Sequence, residues 1–291
     1  MEAFKRNDSA KGPSLFLLEK WMHADNRLTS GFTSRMGGGS GEPWTSLNCG
    51  LHVGDASEDV VRNRQLIADA LDWPFDAWTC GEQVHGNHVH IVRTADRGSG
   101  RADRGSAVAD TDALITAEKD VLLTSFYADC VPLYFYDPVC EVIALAHAGW
   151  KGTVMEIALE TVAAMQTGFG CLAENIRGAI GPSIGSCCYE VDGIVLDRVE
   201  PLVKELARSQ SQFGADFEVM VKHVGEGKAH INLKEINRQL MIKAGILPIN
   251  IEMTEWCTGC STDIFFSHRM EGGATGRMAS WIGMKRGEAS A

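Results

Sequence analysis

The chain has no basic excess. Lysine and arginine total 27 against 38 aspartates and glutamates, a formal net charge of −11. Such a surface cannot displace counterions from a nucleic-acid backbone, which excludes a general nucleic-acid binder. It does not exclude a small anion held by a few local cations. No apolar run is long enough to cross a bilayer. The opening MEAFKRNDSAKGPS also lacks the apolar stretch of a signal peptide. These absences lead to the expectation of a cytoplasmic protein with no membrane partner.

An even cysteine framework is missing too. The nine cysteines are an odd count without regular spacing, so in a reducing compartment each is a core residue, a ligand or a reactive thiol. Cys187 and Cys188 are adjacent and would bridge each other only with strain. Cys257–Cys260 is a CxxC with no second CxxC to complete a four-thiolate zinc site. The following Asp263–Phe266 reads as a loop leading to a strand, so the CxxC is taken as a structural loop pair ahead of a redox or zinc site. The glycine run Met36–Gly41 lacks the Gly-Lys-Ser/Thr of a phosphate-binding P-loop and reads as a surface turn.

What is present is an ordinary globular composition. Hydrophobic residues are 45% and charged residues 22% of 291, enough for one large domain or two fused halves. Short apolar runs alternate with helical stretches. Ser57 caps a helix through about Leu71, with Arg64 at the edge of its apolar stripe. Residues 94–110 form a polar, glycine-rich loop carrying Arg97, Arg101 and Arg104. Val121–Tyr127, Pro132–Tyr136 and Val142–Ala146 read as strands, as does 176–180. Thr153–Glu156 has the pattern of a capping box opening a helix to about Thr167, stopped by Gly168 and Gly170. Asn232 caps another through about Ala244, before Gly245. This alternation indicates α/β or α+β layering. Residues 1–14 and 287–291 are expected to lie outside the fold, leaving 15–286 as a single catalytic domain.

Three residues at the ends of apolar runs carry candidate chemistry: His85 in GEQVHG, Cys130 in YADCVP and His147 in ALAHAGW. Imidazole and thiolate suit a borderline-soft ion such as zinc. Three ligands with a fourth position open describe a catalytic site. A metal-free alternative uses the same residues, with Cys130 as nucleophile and one histidine as its base. The helix predicted after His147 would turn free N–H groups, and Lys151, toward an anion beside it. Asp129 and Gln83 are candidates for positioning water or substrate polar atoms.

The phrases GEQVHG, DTDALIT, YADCVPLYFYDP, ALAHAGWKGT, AIGPSIGSCCYEV and FFSHR…TGRMAS resemble the bacterial YfiH family. That family is also called peptidoglycan editing factor, polyphenol oxidoreductase (laccase) or laccase-domain purine nucleoside phosphorylase. The resemblance runs from about Thr29 to Met284. It implies an α+β, four-layer α/β/β/α sandwich with mixed sheets, built from two similar fused halves. It implies that His85, Cys130 and His147 hold one catalytic Zn2+, with copper as a lesser possibility. It also implies phosphorolysis of adenosine, inosine, guanosine and methylthioadenosine, with adenosine deaminase activity at the same site. The implied partners are purine nucleosides and phosphate, and the implied assembly is a monomer or homodimer. A peptidoglycan-precursor hydrolase and a laccase-like oxidase are the alternatives. Two departures bear on phosphate: Lys151 replaces the usual arginine of HAGWRG, and His268-Arg269-Met270 replaces the paired arginine after FFS. They leave Arg269 and Arg277 as the nearby cations, and Arg35 matches the family pattern in its own segment, so Arg35, Lys151 and Arg269 are the candidate anion contacts.

Overall fold

The computed structural model describes residues 2–8, 12–225 and 227–287. In chain order the first strands and helices are β1 (Lys5–Asn7), β2 (Leu15–Leu17), α1 (Glu19–Ala24), β3 (Leu28–Thr33), α2 (Ser57–Ala70), β4 (Trp78–Cys80), β5 (Val89–Ile91) and β6 (Ala113–Thr116). The middle of the chain holds β7 (Leu122–Tyr127), β8 (Val131–Asp137), β9 (Val142–Ala148), α3 (Trp150–Val154), α4 (Ile157–Phe169) and β10 (Arg177–Ile180). The remainder is β11 (Glu190–Val191), α5 (Gly193–Ser209), α6 (Phe217–Met220), β12 (Val221–Gly225), β13 (Lys228–Ile231), α7 (Leu233–Lys243), β14 (Ile251–Met253) and β15 (Met278–Met284). Among the described residues no helix is long and apolar enough to cross a membrane.

Two six-stranded mixed sheets form the body, in the orders β1-β2-β3-β15-β7-β4 and β14-β10-β8-β9-β6-β5. Each has an antiparallel centre, with a parallel pair at one edge of the first, β4 with β7, and at both edges of the second, β5 with β6 and β10 with β14. The sheets stack face to face. Phe32, Leu123, Tyr127 and Ile282 of the first meet Leu114, Tyr134, Ile143 and Leu145 of the second in one core. Tyr134 Oη donates to the Gly31 carbonyl across that layer at 2.8 Å. Alternate residues of the same strands point outward. Leu122, Phe126 and Trp281 pack under Ile67 of α2, and Leu133, Phe135, Ala144 and Ala146 pack under α4, α5 and α7. Both faces of each sheet are covered, so β8, β9 and β15 read as continuous apolar runs. The four layers are helix, sheet, sheet and helix, as the resemblance implies.

Several local expectations are corrected. Phe4 is fully buried and β1 pairs with β2, so part of the segment expected outside the fold belongs to it. An aromatic anchor explains this, since Phe4 packs on Tyr134 with ring centroids 5.4 Å apart. Of the tail expected at 287–291, residues 288–291 lie outside the described residues. Ser57 begins α2 rather than capping it, Ala56 being the cap residue. Arg64 is buried instead of edging the stripe. It donates to the carbonyls of Cys49, Gly100 and Arg101 and so pins the 94–110 loop. Thr153–Glu156 is not a capping box: α3 already starts at Trp150, and Glu156 adopts left-handed φ 58° between α3 and α4. Glu156 is instead held by Lys243 of α7 at 2.7 Å. Asp263–Phe266 leads to turns and not to a strand.

Candidate functional site

The chain leaves β7 in one sheet and enters β8 in the other through Ala128-Asp129-Cys130. This corner requires an uncommon backbone, and Asp129 takes φ 87°. Both carboxylate oxygens hold it there. Oδ1 accepts from Thr258 Oγ1 at 2.6 Å and Oδ2 from the Arg269 backbone N–H at 2.7 Å. Cys130 is thereby presented at the seam between the sheets. His147 lies near the end of β9, beside β8, with Pro132 as its cross-strand partner. His85 comes from the turn after β4 and has φ 62°.

The three candidate ligand atoms lie within 4.8 Å of one another. Cys130 Sγ is 4.0 Å from His85 Nε2, and the two imidazoles meet edge to face at 4.8 Å between centroids. Tetrahedral zinc with sulfur and nitrogen ligands needs donor separations of about 3.5 Å, so the donor set fits by chemistry and by spacing. Gly149 makes the convergence possible: a Cβ there would lie 3.1 Å from both Cys130 Sγ and His85 Cδ2. His147 is buried, Cys130 is half-buried and His85 is exposed, which leaves the site open on one side.

Asp112 organises the histidines, and sequence reasoning missed it. Its Oδ1 lies 2.9 Å from His147 Nδ1, which fixes the tautomer so that Nε2 faces the other ligands. The same carboxylate accepts from the backbone N–H groups of Val84, His85 and Gly86 at 2.8–3.1 Å. Burial raises the Asp112 pKa, but the His147 bond and charge and the turn N–H groups outweigh it and leave the carboxyl below its usual value. Asp112 is the second aspartate of DTDALIT, one of the phrases that carry the family resemblance. Without metal, half-buried Cys130 and buried His147 form a close pair. Burial opposes both charged forms, yet their mutual attraction lowers the thiol to about 6 and raises the imidazole to about 9.

Two cavities meet at the triad. One, about 320 Å³, is lined by His52, Gln83, Phe126, His268 and Arg277 beside the three ligands. The other, about 290 Å³, shares His85, Cys130 and His268 with it and adds Trp150, Tyr189 and Arg269. The remaining expected residues fall out unequally. Gln83 clips the backbone of Phe126, its amide donating to the carbonyl at 2.9 Å and its oxygen accepting from the N–H at 2.7 Å. Arg269 borders the second cavity, stacks over Tyr189 at 5.0 Å and donates to the Glu190 carbonyl. Lys151 is exposed, its ammonium 5.8 Å from the Trp150 ring. Arg35 borders neither cavity; it is bound to Glu271 at 2.9 Å and to the carbonyl of Thr262. The helix after His147 has five residues, too few aligned peptides to make the anion-attracting terminus expected. His52 and His268 were not expected as site residues, and Arg277, a cation near Arg269 in the TGRMAS segment, joins them at the first cavity; only folding gathers the three.

Residues 29–285 match the family model described as multi-copper polyphenol oxidoreductase laccase. The chain is 39% identical over 278 residues to the purine nucleoside phosphorylase YlmD of Bacillus subtilis (strain 168), covering 94% of this chain and 95% of that protein. It superposes on the crystal structure of YlmD from Geobacillus stearothermophilus with a TM-score of 0.89 and 38% identity, over 98% of this chain and 100% of that one. The crystal structure of Bacillus licheniformis YfiH gives a TM-score of 0.87 and 40% identity, over 97% and 99%.

Proposed function

The chain belongs to the family described as multi-copper polyphenol oxidoreductase laccase, and from that membership we propose that it is a zinc-dependent purine nucleoside phosphorylase. Adenosine, inosine, guanosine and methylthioadenosine are its proposed substrates, with adenosine deamination at the same site. One observation carries the proposal: a His85–Cys130–His147 triad at the junction of two cavities, one bordered by Arg277 and the other by Arg269 and the rings of Trp150 and Tyr189. Similar proteins that bear the name purine nucleoside phosphorylase support it. A multi-copper oxidase would need further clustered histidines. Among the described residues the only ligand group containing histidine is the triad.

Zinc on the triad would supply a Lewis-acid charge that stabilises developing negative charge and acidifies water. The other roles fall to the protein. Arg277 is the cation against which phosphate is held, with His52 beside it kept neutral by burial and by the Arg277 charge, which lower its pKa to about 4, and Arg269 supplies a second charge across the triad. Trp150 and Tyr189 offer flat faces for the purine. His268 borders both cavities, and we assign it to moving the proton that the departing base requires as phosphate oxygen bonds to C1′ and the glycosidic bond breaks. Asp129 and Gln83 position the corner and the turn. Cys130 must stay reduced to serve as a ligand, which suits the cytoplasm.

Incubation with adenosine, with and without phosphate, tests this. Phosphate-dependent release of adenine and ribose 1-phosphate is expected; inertness toward every purine nucleoside defeats the proposal. The close Cys130–His85 approach also suits a thiolate nucleophile, which an accumulating covalent adduct on Cys130 would reveal.

A further inference from the structure

A second thiol cluster lies beside the triad. Cys187 and Cys188 follow β10 in a turn, and Cys257 and Cys260 follow β14, the strand paired with β10. Parallel pairing sends both connections out of the same edge of the sheet. There Ser183 bridges to Cys257, and the Thr258 N–H donates to the Ser183 carbonyl at 3.1 Å. The four sulfurs all lie within 4.8 Å of one another. Cys187 Sγ is 3.5 Å from Cys257 Sγ and 3.3 Å from Cys260 Sγ, and Cys188 Sγ is 3.4 Å from Cys260 Sγ. We propose that these four cysteines form a structural tetrathiolate zinc site, in which the adjacent pair supplies what a second CxxC would otherwise provide.

Four features support the assignment. Zinc–sulfur bonds of about 2.3 Å in a tetrahedron put neighbouring sulfurs about 3.8 Å apart, close to the distances here and far beyond a bonded disulfide of about 2.0 Å. The Gly185 N–H donates to Cys257 Sγ at 3.1 Å, a bond that stabilises thiolate. Two glycines leave room for the sulfurs. A Cβ at Gly259 would lie 2.7 Å from Cys188 Cβ, and one at Gly185 would lie 3.1 Å from Cys187 Sγ. Buried Lys234 places its ammonium on the carbonyls of Thr254 and Trp256, at 3.1 and 3.0 Å, just before Cys257. A positive charge there offsets the net negative charge of zinc with four thiolates. Cys187 and Cys260 are exposed, which gives the ion an entry path.

The ion would brace the active site without entering it. Thr258, between the two cysteines of the CxxC, holds Asp129 at the corner that presents Cys130. Tyr189 follows Cys188 directly and lines the aromatic cavity.

Elemental analysis of the reduced full chain, purified after growth with zinc, tests the proposal. About two zinc equivalents per chain are expected, falling to about one in Cys130→Ala and to about one in a Cys187→Ser, Cys260→Ser double variant. If Cys130→Ala contains no zinc, the proposal is overturned while phosphorolysis by the wild type remains a separate question. Cobalt added to metal-free Cys130→Ala supplies a second measurement that does not depend on the double variant folding. Intense sulfur-to-cobalt absorption is expected. Its absence, or a disulfide within this cluster found by mass spectrometry in reductant, overturns the assignment.

Discussion

At the scale of single residues, the site depends on groups that hold the ligands as much as on the ligands. Asp112 fixes His147 through Nδ1 and gathers the turn that carries His85. Asp112→Asn should therefore weaken metal binding by about 10–100-fold, read by competition with a chelator; unchanged affinity would remove Asp112 from the role. The Cys130–His147 pair gives a test in pH. With metal removed, peptide-mapped alkylation of Cys130 should follow an apparent pKa near 6 instead of the ordinary 9.0, because the imidazolium stabilises the thiolate. The effect on stability has two opposite signs. The lowered thiol pKa contributes stability that is lost as pH falls toward 6, and the raised imidazole pKa contributes stability lost as pH rises through 9. Folded and unfolded pairs bind nearly equal numbers of protons at each pH, so the pair should leave the stability profile nearly flat. The sequence exposed the triad through the phrases GEQVHG, YADCVP and ALAHAGW and the resemblance they carry. It could not rank Asp112 above other aspartates, because the partner of that carboxylate is 35 residues away and meets it only across β6 and β9.

At the scale of elements, caps and turns decide what the strands can present. Asn232 behaves as its sequence position indicates, accepting from the Glu235 N–H at 3.1 Å at the start of α7. Asn232→Ala should cost about 1 kcal/mol, measured as a lower midpoint in urea. Gly149 at the start of α3 has an ordinary φ of −69°, so its substitution tests space alone. Gly149→Ala should lower metal occupancy while circular dichroism stays native; full occupancy would contradict the close approach to Cys130 and His85. The Thr153–Glu156 pattern shows why local signals fail. Its glutamate is claimed by Lys243 of α7, a partner 87 residues away, and that contact is compatible with a break in the helix. Local propensity is worth tenths of a kcal/mol per residue and yields to such packing.

At the scale of the whole molecule, the triad joins a turn after β4, the corner between the sheets and the end of β9. Metal binding should therefore stabilise the folded chain globally. Excess metal at about a thousandfold over Kd contributes about 4 kcal/mol, so a chelator should lower Tm by several degrees, and an unchanged Tm would detach the site from the fold. Leu145→Ala, in the layer between the sheets, should cost about 2–5 kcal/mol, read by equilibrium unfolding. The sequence alone determined the strand runs, the Asn232 cap and the acidic surface, and it picked out the three candidate ligands, because each rests on neighbours along the chain. Tertiary structure decided which strands share a sheet, because runs buried on both faces carry no alternation to assign them. It also decided that Arg35 serves Glu271, that His268 and Arg277 border the site, and that an adjacent cysteine pair meets a CxxC some 70 residues away. Those outcomes depend on long-range strand pairing, whose energy comes from contacts no local window contains.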